Sequence, residues 1–199
     1  IEDLGIASDT IVCYPSDHGD HLSSHGYGKP SDAWMHHSFR ASKATPYEES
    51  IHVPFVIRWP GNISPGTRSD AFFGTIDLMP SLLGLCGITQ PDGLQGRDLS
   101  PVWLSGNPPT PQPDLPEALE SVYLQNMANG WPNRNGWVGC WRGVRSARYT
   151  YARWYHNEHG PWLFDHIQDP LEMENIAQSS SSRAIVEKME NCLQNWMTA

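Results

Sequence analysis

Apolar residues in the first half of the chain occur in short continuous runs and in one run with helical spacing. Residues 10–14 and 53–59 are apolar at successive positions, which is typical of buried strands covered on both faces. A shorter run at residues 71–76 predicts another strand. Between residues 77 and 86 the apolar positions recur at helical spacing, which predicts a helix closed by Gly87.

The second half alternates short apolar runs with turn residues and ends in an amphipathic segment. Runs at residues 119–125, 137–146 and 148–155 predict strands, and residues 163–165 begin a last one. Because Gly and Asn turns separate these runs, we predict a small antiparallel sheet. A closing helix is predicted at residues 183–197. Its apolar face consists of Ile185, Val186, Met189, Leu193 and Trp196.

A proline-rich stretch separates the two halves. Residues 105–116 hold five prolines in twelve positions, which predicts a linker. We therefore divide the chain into residues 1–104 and residues 117–199, joined by that linker.

The net negative charge of the chain argues against polyanionic partners. The chain has 22 acidic and 13 basic residues, a formal net charge of −9. This balance argues against nucleic acid or an acidic membrane surface as the partner. An anionic substrate would need a local focus of positive charge. The chain contains no apolar stretch of about eighteen residues, so we predict no membrane span.

The cysteine pattern gives no disulfide framework. The four cysteines are far apart and form no C-x-x-C pair, which argues against a zinc knuckle. Cys13 and Cys86 lie in apolar runs, which favours buried free thiols.

The candidate chemistry begins where the first predicted strand ends, the position at which open α/β sheets bind their ligands. The run Ser-Asp-His-Gly at residues 16–19 supplies Asp17 and His18, and Lys43 follows before Thr-Pro-Tyr-Glu-Glu-Ser. Oxygen and nitrogen ligands beside a cation suit a divalent metal and a tetrahedral oxyanion. We predict Asp17 and His18 as metal ligands and Lys43 as the cation that contacts the anion. Lys29 is the rival cation in the same loop.

Other polar residues of this loop allow two interpretations. His25 is either a contact of the substrate's leaving oxygen, acting as an acid, or a histidine satisfied within the loop. The remaining histidines, His21, His36 and His37, carry no motif. We interpret Glu48 and Glu49 as structural, one capping a short helix and the other pairing with Arg58 or Arg68.

The order of these motifs resembles the sulfatases of the alkaline-phosphatase superfamily. There, Ser-Asp-His/Asn-Gly is followed by His-Gly, and Lys-x-Thr-Pro-Tyr-Glu-Glu-Ser leads into a strand ending Arg-Trp-Pro-Gly, which is present here at residues 58–61. The run at residues 169–175 matches the family's Asp-Pro-x-Glu-x-x-Asn turn. The resemblance implies an α/β fold: the C-terminal portion of the sulfatase mixed sheet, plus a small antiparallel sheet with a closing helix.

The resemblance also implies that the chain is the C-terminal part of a longer enzyme. The family's acidic metal-binding pair and its Cys/Ser-x-Pro-x-Arg nucleophile motif are not found in full. The run that begins at Cys13 has Asp17 where that motif requires arginine. A formylglycine nucleophile is therefore expected only in the missing N-terminal part. The expected metal is Ca²⁺ at Asp17 and His18, with Lys43 and His25 as catalytic residues.

The function implied is metal-dependent hydrolysis of a sulfate ester on a small molecule or carbohydrate. The N-terminal portion is the expected partner, and we expect this chain alone to be inactive. The alternatives are a phosphodiesterase or phosphonate hydrolase on the same scaffold, and a sulfatase-like module without catalysis. Periplasmic, secreted and lysosomal locations all fit the resemblance.

Overall fold

The computed structural model describes residues 1–22, 24–25, 43–105, 121–127, 140–155 and 160–198. Its contacts divide the chain into two compact units. The first unit comprises Ile1–Asp17 and Pro54–Glu120, and the second comprises His18–Val53 and Ser121–Ala199.

In its described residues, the first unit contains a two-stranded antiparallel sheet and two helices. Strand β1, Val12–Pro15, pairs with β2, Phe55–Arg58. Helix α1, Glu48–Ile51, belongs to the second unit. In the first unit, α2 runs over Leu78–Leu85 and α3 over Ser100–Ser105. Turns of 3₁₀ helix occupy Glu2–Leu4, Ala7–Asp9 and Thr75–Asp77.

The two strands occur where the apolar runs predict them, but they are not covered on both faces. Tyr14 is 72% exposed and Val56 is 60% exposed. A continuous apolar run normally forms a strand buried on both faces. The expected burial of residues 10–14 is therefore not found in this chain, and the sheet presents apolar surface instead. In the described part of the chain, no helix has the length and apolarity needed to cross a membrane.

An ion pair fixes the start of helix α2. Asp77 is 1% exposed and accepts hydrogen bonds from the backbone N–H of Arg97 at 2.7 Å and from its guanidinium at 2.8 Å. The predicted helix and its Gly87 end, at φ 65°, are confirmed. The predicted strand at residues 71–76 is wrong. That segment is irregular and then turns, because its polar partners are Asp77 and Arg97 rather than a neighbouring strand.

The second unit is built on a four-stranded antiparallel sheet whose strands neighbour one another in chain order. The strands are β3, Ser121–Asn126; β4, Trp141–Ser146; β5, Tyr149–Trp154; and β6, Trp162–Asp165. Helix α1 covers Glu48–Ile51 and α4 covers Arg183–Thr198, after a 3₁₀ turn at Ser180–Ser182. The predicted small antiparallel sheet and closing helix are confirmed.

Each face of this sheet carries its own core. On one face the predicted apolar side of α4 packs, and Leu193 and Val144 are fully buried there. On the other face lies an aromatic cluster that includes Tyr47. Alternation along β6 separates the two, because Leu163 joins the first core while its neighbour Phe164 joins the second. The aromatic cluster comprises Tyr47, Trp141, Ala152, Trp154, Trp162 and Phe164.

The predicted linker and the predicted cysteine environments have different outcomes. The linker at residues 105–116 lies almost wholly outside them, so the boundaries at 104 and 117 stay predictions. The four cysteines are free, as expected for Cys13 and Cys86, but Cys86 is exposed rather than buried.

We expect Leu193→Ala to destabilise the second unit, because the residue is fully buried between α4 and the sheet. Truncating a buried leucine lowers the free energy of unfolding by about 2–5 kcal/mol. The control is Ile167→Ala, since Ile167 is 65% exposed; a change of about 0.5 kcal/mol or less is expected there. Urea unfolding measures both, and equal effects of the two variants would contradict the packing described.

Candidate functional site

A close backbone approach positions the Ser-Asp-His-Gly motif. The N–H of Gly19 donates to Ser50 O at 2.9 Å, which joins the motif to helix α1. A Cβ atom on Gly19 would lie 1.8 Å from Glu49 O. Only glycine allows the backbones to come this near. The last residue of the motif is thus required by packing.

His18 and Lys43 are in direct contact. Lys43 Nζ lies 2.8 Å from His18 Nε2. Because an ammonium can only donate, Nε2 accepts and the ring proton resides on Nδ1. That Nδ1–H donates to Gly19 O at 2.8 Å. The imidazole is therefore held with its Nε2 lone pair directed toward the ammonium.

Asp17 belongs to a different compact unit from His18 and Lys43. Asp17 is exposed, follows β1 by two residues and is the last residue of the first segment of the first unit, whereas His18 is the first residue of the second unit. Its role as a metal ligand remains a prediction from the motif. Lys29 lies outside the described residues, as do His36 and His37.

His25 is buried within its own loop. Its ring stacks on Tyr47 with centroids 3.8 Å apart, and its Nε2 lies 3.2 Å from Glu49 Oε2. Only 6% of the side chain is exposed. His21 is also buried and bonds Thr45 Oγ1 at 2.7 Å, and burial lowers the pKa of His21. This geometry favours His25 as a histidine satisfied within the loop over a contact of the substrate.

Aromatic packing and one hydrogen bond attach this loop to the C-terminal sheet. Tyr47 is 3% exposed, with ring centroids 5.1 Å from Trp162 and 5.3 Å from Phe164. The indole N–H of Trp141 donates to Ala44 O at 2.8 Å. The segment that carries Lys43 is thus anchored on residues about a hundred positions away. Trp141, Trp154 and Trp162, which lie in described strands, belong to the buried aromatic cluster of this sheet.

The partner expected for the Glu48–Glu49 pair is wrong. Arg145 Nε donates to Glu48 Oε1 at 2.6 Å, while Arg58 pairs with Glu2. Burial alone would raise the pKa of Glu48, but the hydrogen bond and charge of Arg145, together with the nearby His166 and His52, outweigh it and the pKa is lowered. Sequence offered no signal for Arg145, because the two residues meet only through the fold.

Glu172 is a site residue that the sequence analysis missed. It is 2% exposed, and its Oε2 accepts the backbone N–H of Glu48 at 2.7 Å. Its Oε1 lies 3.6 Å from His166 Nε2. Burial, followed by the charges of Glu48 and Glu49, raises the pKa of Glu172 to about 8. The available signal was its place in the Asp-Pro-x-Glu-x-x-Asn turn, which we had interpreted only as a turn.

Carboxylates and imidazoles converge around Glu172. Among the described residues, the ligand atoms of His25, Glu49 and Glu172 lie within 4.8 Å of one another. Those of Glu48, His166 and Glu172 satisfy the same limit. None of these residues was predicted as a metal ligand from the sequence.

Comparison with known families identifies the class. The model of the C-terminal region of N-sulphoglucosamine sulphohydrolase matches residues 36–199, most of the chain. The chain therefore belongs to this family of sulfatase C-terminal regions.

Two curated relatives are sulfatases. The Endo-4-O-sulfatase of Bacteroides thetaiotaomicron is 29% identical over 195 residues, which are 93% of this chain and 35% of that protein. The Ulvan-active sulfatase of Formosa agariphila is 35% identical over 178 residues, which are 87% of this chain and 30% of that protein. The chain thus spans about a third of the length of these relatives.

Solved structures share the fold. One in complex with its substrate D-glucosamine-2-N,6-O-disulfate matches 98% of this chain and 35% of its own, with a TM-score of 0.78 at 24% identity. The phosphonate monoester hydrolase of Agrobacterium radiobacter matches 99% of this chain and 36% of its own, with a TM-score of 0.71 at 24% identity. These likenesses show the fold alone: the C-terminal portion of the sulfatase-like α/β fold with its small antiparallel sheet and closing helix.

The raised pKa of Glu172 makes stability depend on pH. A carboxyl that is protonated when folded, but ionised above about pH 4.5 when unfolded, stabilises the fold fully at low pH. That contribution is lost as pH rises toward about 8. We expect the free energy of unfolding of Glu172→Gln to fall less between pH 5 and pH 8 than that of the wild type. Urea unfolding at each pH measures this quantity.

The matched control for this prediction is Glu174→Gln, because Glu174 is exposed in the same turn. We expect it to keep the wild-type slope of stability against pH. An unchanged slope in Glu172→Gln would show that Glu172 is ionised in the folded protein.

Proposed function

We propose that the chain is the C-terminal part of a metal-dependent sulfatase that hydrolyses a sulfate ester. The observation that carries this proposal is the contact of His18 Nε2 with Lys43 Nζ at 2.8 Å. It brings a metal-binding nitrogen and an ammonium within reach of one small oxyanion. Family membership supports sulfate as the anion.

In this proposal Lys43 binds the sulfate group by charge. An ammonium on a flexible stem suits a tetrahedral anion better than a planar guanidinium does. Its N–H groups donate to sulfate oxygens and stabilise the charge that develops there as the ester bond breaks. The anchor of the Lys43 segment on Trp141 limits its freedom, so less positioning is needed when substrate binds.

The residues present fit a divalent metal at the motif. The Nδ1–H of His18 is held by Gly19 O, which is how a metal-binding histidine is usually oriented by its neighbours. Calcium takes oxygen ligands, so Asp17 is its ligand in this proposal. His18 binds the ion only if Lys43 leaves Nε2, which accepts from the ammonium in this structure, and otherwise lies beside the ion. When bound, the metal draws charge from the sulfate oxygens.

The nucleophile belongs to the longer protein in this proposal. By resemblance it is a formylglycine formed in a Cys/Ser-x-Pro-x-Arg motif that precedes the region described. Cys13 does not serve, because it lies within β1 opposite Ile57, and burial raises the pKa of its thiol. We assign no chemical step to His25, since its ring is buried against Tyr47 and its Nε2 contacts Glu49.

The substrate class in this proposal is a sulfated carbohydrate. The printed names of the relatives, an endo-4-O-sulfatase and an ulvan-active sulfatase, support it, as does the glucosamine disulfate bound to the structural neighbour. A phosphonate or phosphodiester hydrolase remains the alternative, because such an enzyme shares the fold. Turnover by the longer protein of aryl sulfate, aryl phosphate and phosphonate esters, measured side by side, decides between them.

In the longer protein, we expect Lys43→Ala to lower the rate of sulfate ester hydrolysis by about a hundredfold or more, as removal of one charge-stabilising donor does. Lys188→Ala is the control and is expected to keep the wild-type rate, because Lys188 is exposed on α4. A wild-type rate for Lys43→Ala, or a larger loss for Lys29→Ala, contradicts the assignment of Lys43.

We expect the chain by itself to show no turnover of aryl sulfate with added calcium. The acidic pair and the nucleophile motif are not found in full in its 199 residues. The measurement is an aryl sulfate assay on the purified chain, run beside sedimentation. Metal-dependent turnover by a monomer would place the catalytic centre within this chain.

A further inference from the structure

The carboxylate and imidazole cluster around Glu172 is not used by the proposed sulfatase chemistry. Two groups of potential ligands share Glu172 in the described part of the chain. One adds His25 and Glu49 to it, and the other adds Glu48 and His166. Both lie within the second unit, so their geometry does not depend on the placement of the first.

Existing contacts discriminate between the two groups. Glu48 already binds Arg145 at 2.6 Å through Oε1, and its Oε2 lies 3.0 Å from His52 Nδ1. His166 Nε2 already lies 2.7 Å from Thr150 Oγ1. A cation that used the second group would have to replace these partners. In the first group the cation would replace the contact of His25 with Glu49, and by using Oε1 of Glu172 it would leave the bond from the Glu48 N–H to Oε2 in place.

Glu172 itself indicates a ligand. Its side chain is 1% exposed, and its Oε1 is buried without a hydrogen-bond partner. The nearest positively chargeable atom, His166 Nε2, is 3.6 Å away, beyond hydrogen-bond distance. A buried carboxylate oxygen without a partner is costly, and a cation would offset that cost. The pKa of Glu172, raised to about 8 by burial, is consistent with a proton in that place when no cation is bound.

The distance between the other two ligands is close to the distance between two ligands of one zinc ion. Ligand atoms about 2.0–2.1 Å from a tetrahedral zinc lie about 3.3 Å apart. His25 Nε2 and Glu49 Oε2 are 3.2 Å apart. Mixed imidazole and carboxylate ligands also suit zinc, whereas calcium takes oxygen ligands. The stacking of His25 on Tyr47 fixes the plane of the imidazole.

We propose that His25, Glu49 and Glu172 bind a divalent ion of the zinc class, at a site separate from the metal predicted at Asp17 and His18. The ion replaces the proton between His25 and Glu49 and any proton on Glu172, so its binding releases protons. It links the active-site loop to the turn after β6. Its role is structural: it holds the loop and the C-terminal sheet together.

The test uses the chain after treatment with chelator and removal of the chelator. Cobalt(II) is added as a spectroscopic probe, followed by zinc. We expect one cobalt per chain with visible absorption bands of a complex with nitrogen and oxygen ligands, and displacement of that cobalt by one equivalent of zinc. Absence of these bands, or of any displacement by zinc, overturns the proposal.

Variants locate the ion. We expect Glu49→Gln and Glu172→Gln each to lower zinc affinity by at least about tenfold. Changes to residues that only support metal ligands already lower metal affinity by about tenfold or more. Glu49→Gln is the safer variant for folding, because a third of that side chain is exposed. Glu174→Gln is the matched control and is expected to bind as wild type. Circular dichroism confirms that each variant is folded.

Asp17→Asn separates this site from the predicted sulfatase metal. Zinc binding that survives Asp17→Asn and falls in Glu49→Gln supports the proposal whatever the activity of the longer protein. Zinc binding that falls in Asp17→Asn and survives in Glu49→Gln and Glu172→Gln overturns it and places the ion at the motif.

Discussion

The burial of Tyr47 against the C-terminal sheet is the interaction on which the candidate site depends. Its ring lies between His25 and the aromatic side chains of β6, with 3% of the residue exposed. An aromatic side chain of this size removes a large apolar area from water and accepts few orientations. Because Lys43 and helix α1 lie within a few residues of Tyr47, the sheet determines where they point.

A second constraint is electrostatic. Glu48, Glu49 and Glu172 lie close together, and Arg145 neutralises one of them through a hydrogen bond to Glu48. Glu172 accepts the backbone N–H of Glu48, the first residue of α1, and so fixes the start of that helix. A buried carboxylate lowers the stability of the fold unless it is paired or protonated. Each carboxylate of this cluster therefore needs a proton or a cation beside it. Burial, followed by the charges of Glu48 and Glu49, raises the pKa of Glu172 and makes it a candidate ligand.

Much of the fold follows from periodicity in the sequence. The apolar face of α4 was predicted residue by residue, because Leu193 and its neighbours recur at the spacing of one helical face. The strands of the small sheet follow from apolar runs between turns. The strand predicted at residues 71–76 was wrong because this apolar segment pairs with no strand among the described residues, and a local pattern does not show whether a neighbouring strand exists.

The site was predictable only where a sequence motif carries its residues. The motif placed His18 near Lys43, and the two are in contact at 2.8 Å. Arg145 and Glu172 could not be assigned, because they reach Glu48 across 97 and 124 positions and meet it only in the folded chain. The burial of His25 could not be predicted from the sequence either, because His25 stacks on Tyr47, whose position depends on the C-terminal sheet.

The most direct measurement is a crystal structure of the longer protein with bound inorganic sulfate. We expect Lys43 Nζ within hydrogen-bond distance of a sulfate oxygen, with the Nε2 edge of His18 facing the same pocket and Tyr47 still packed on Trp162. A sulfate bound elsewhere, with Lys43 directed into solvent, would contradict the assignment of this loop as the anion site.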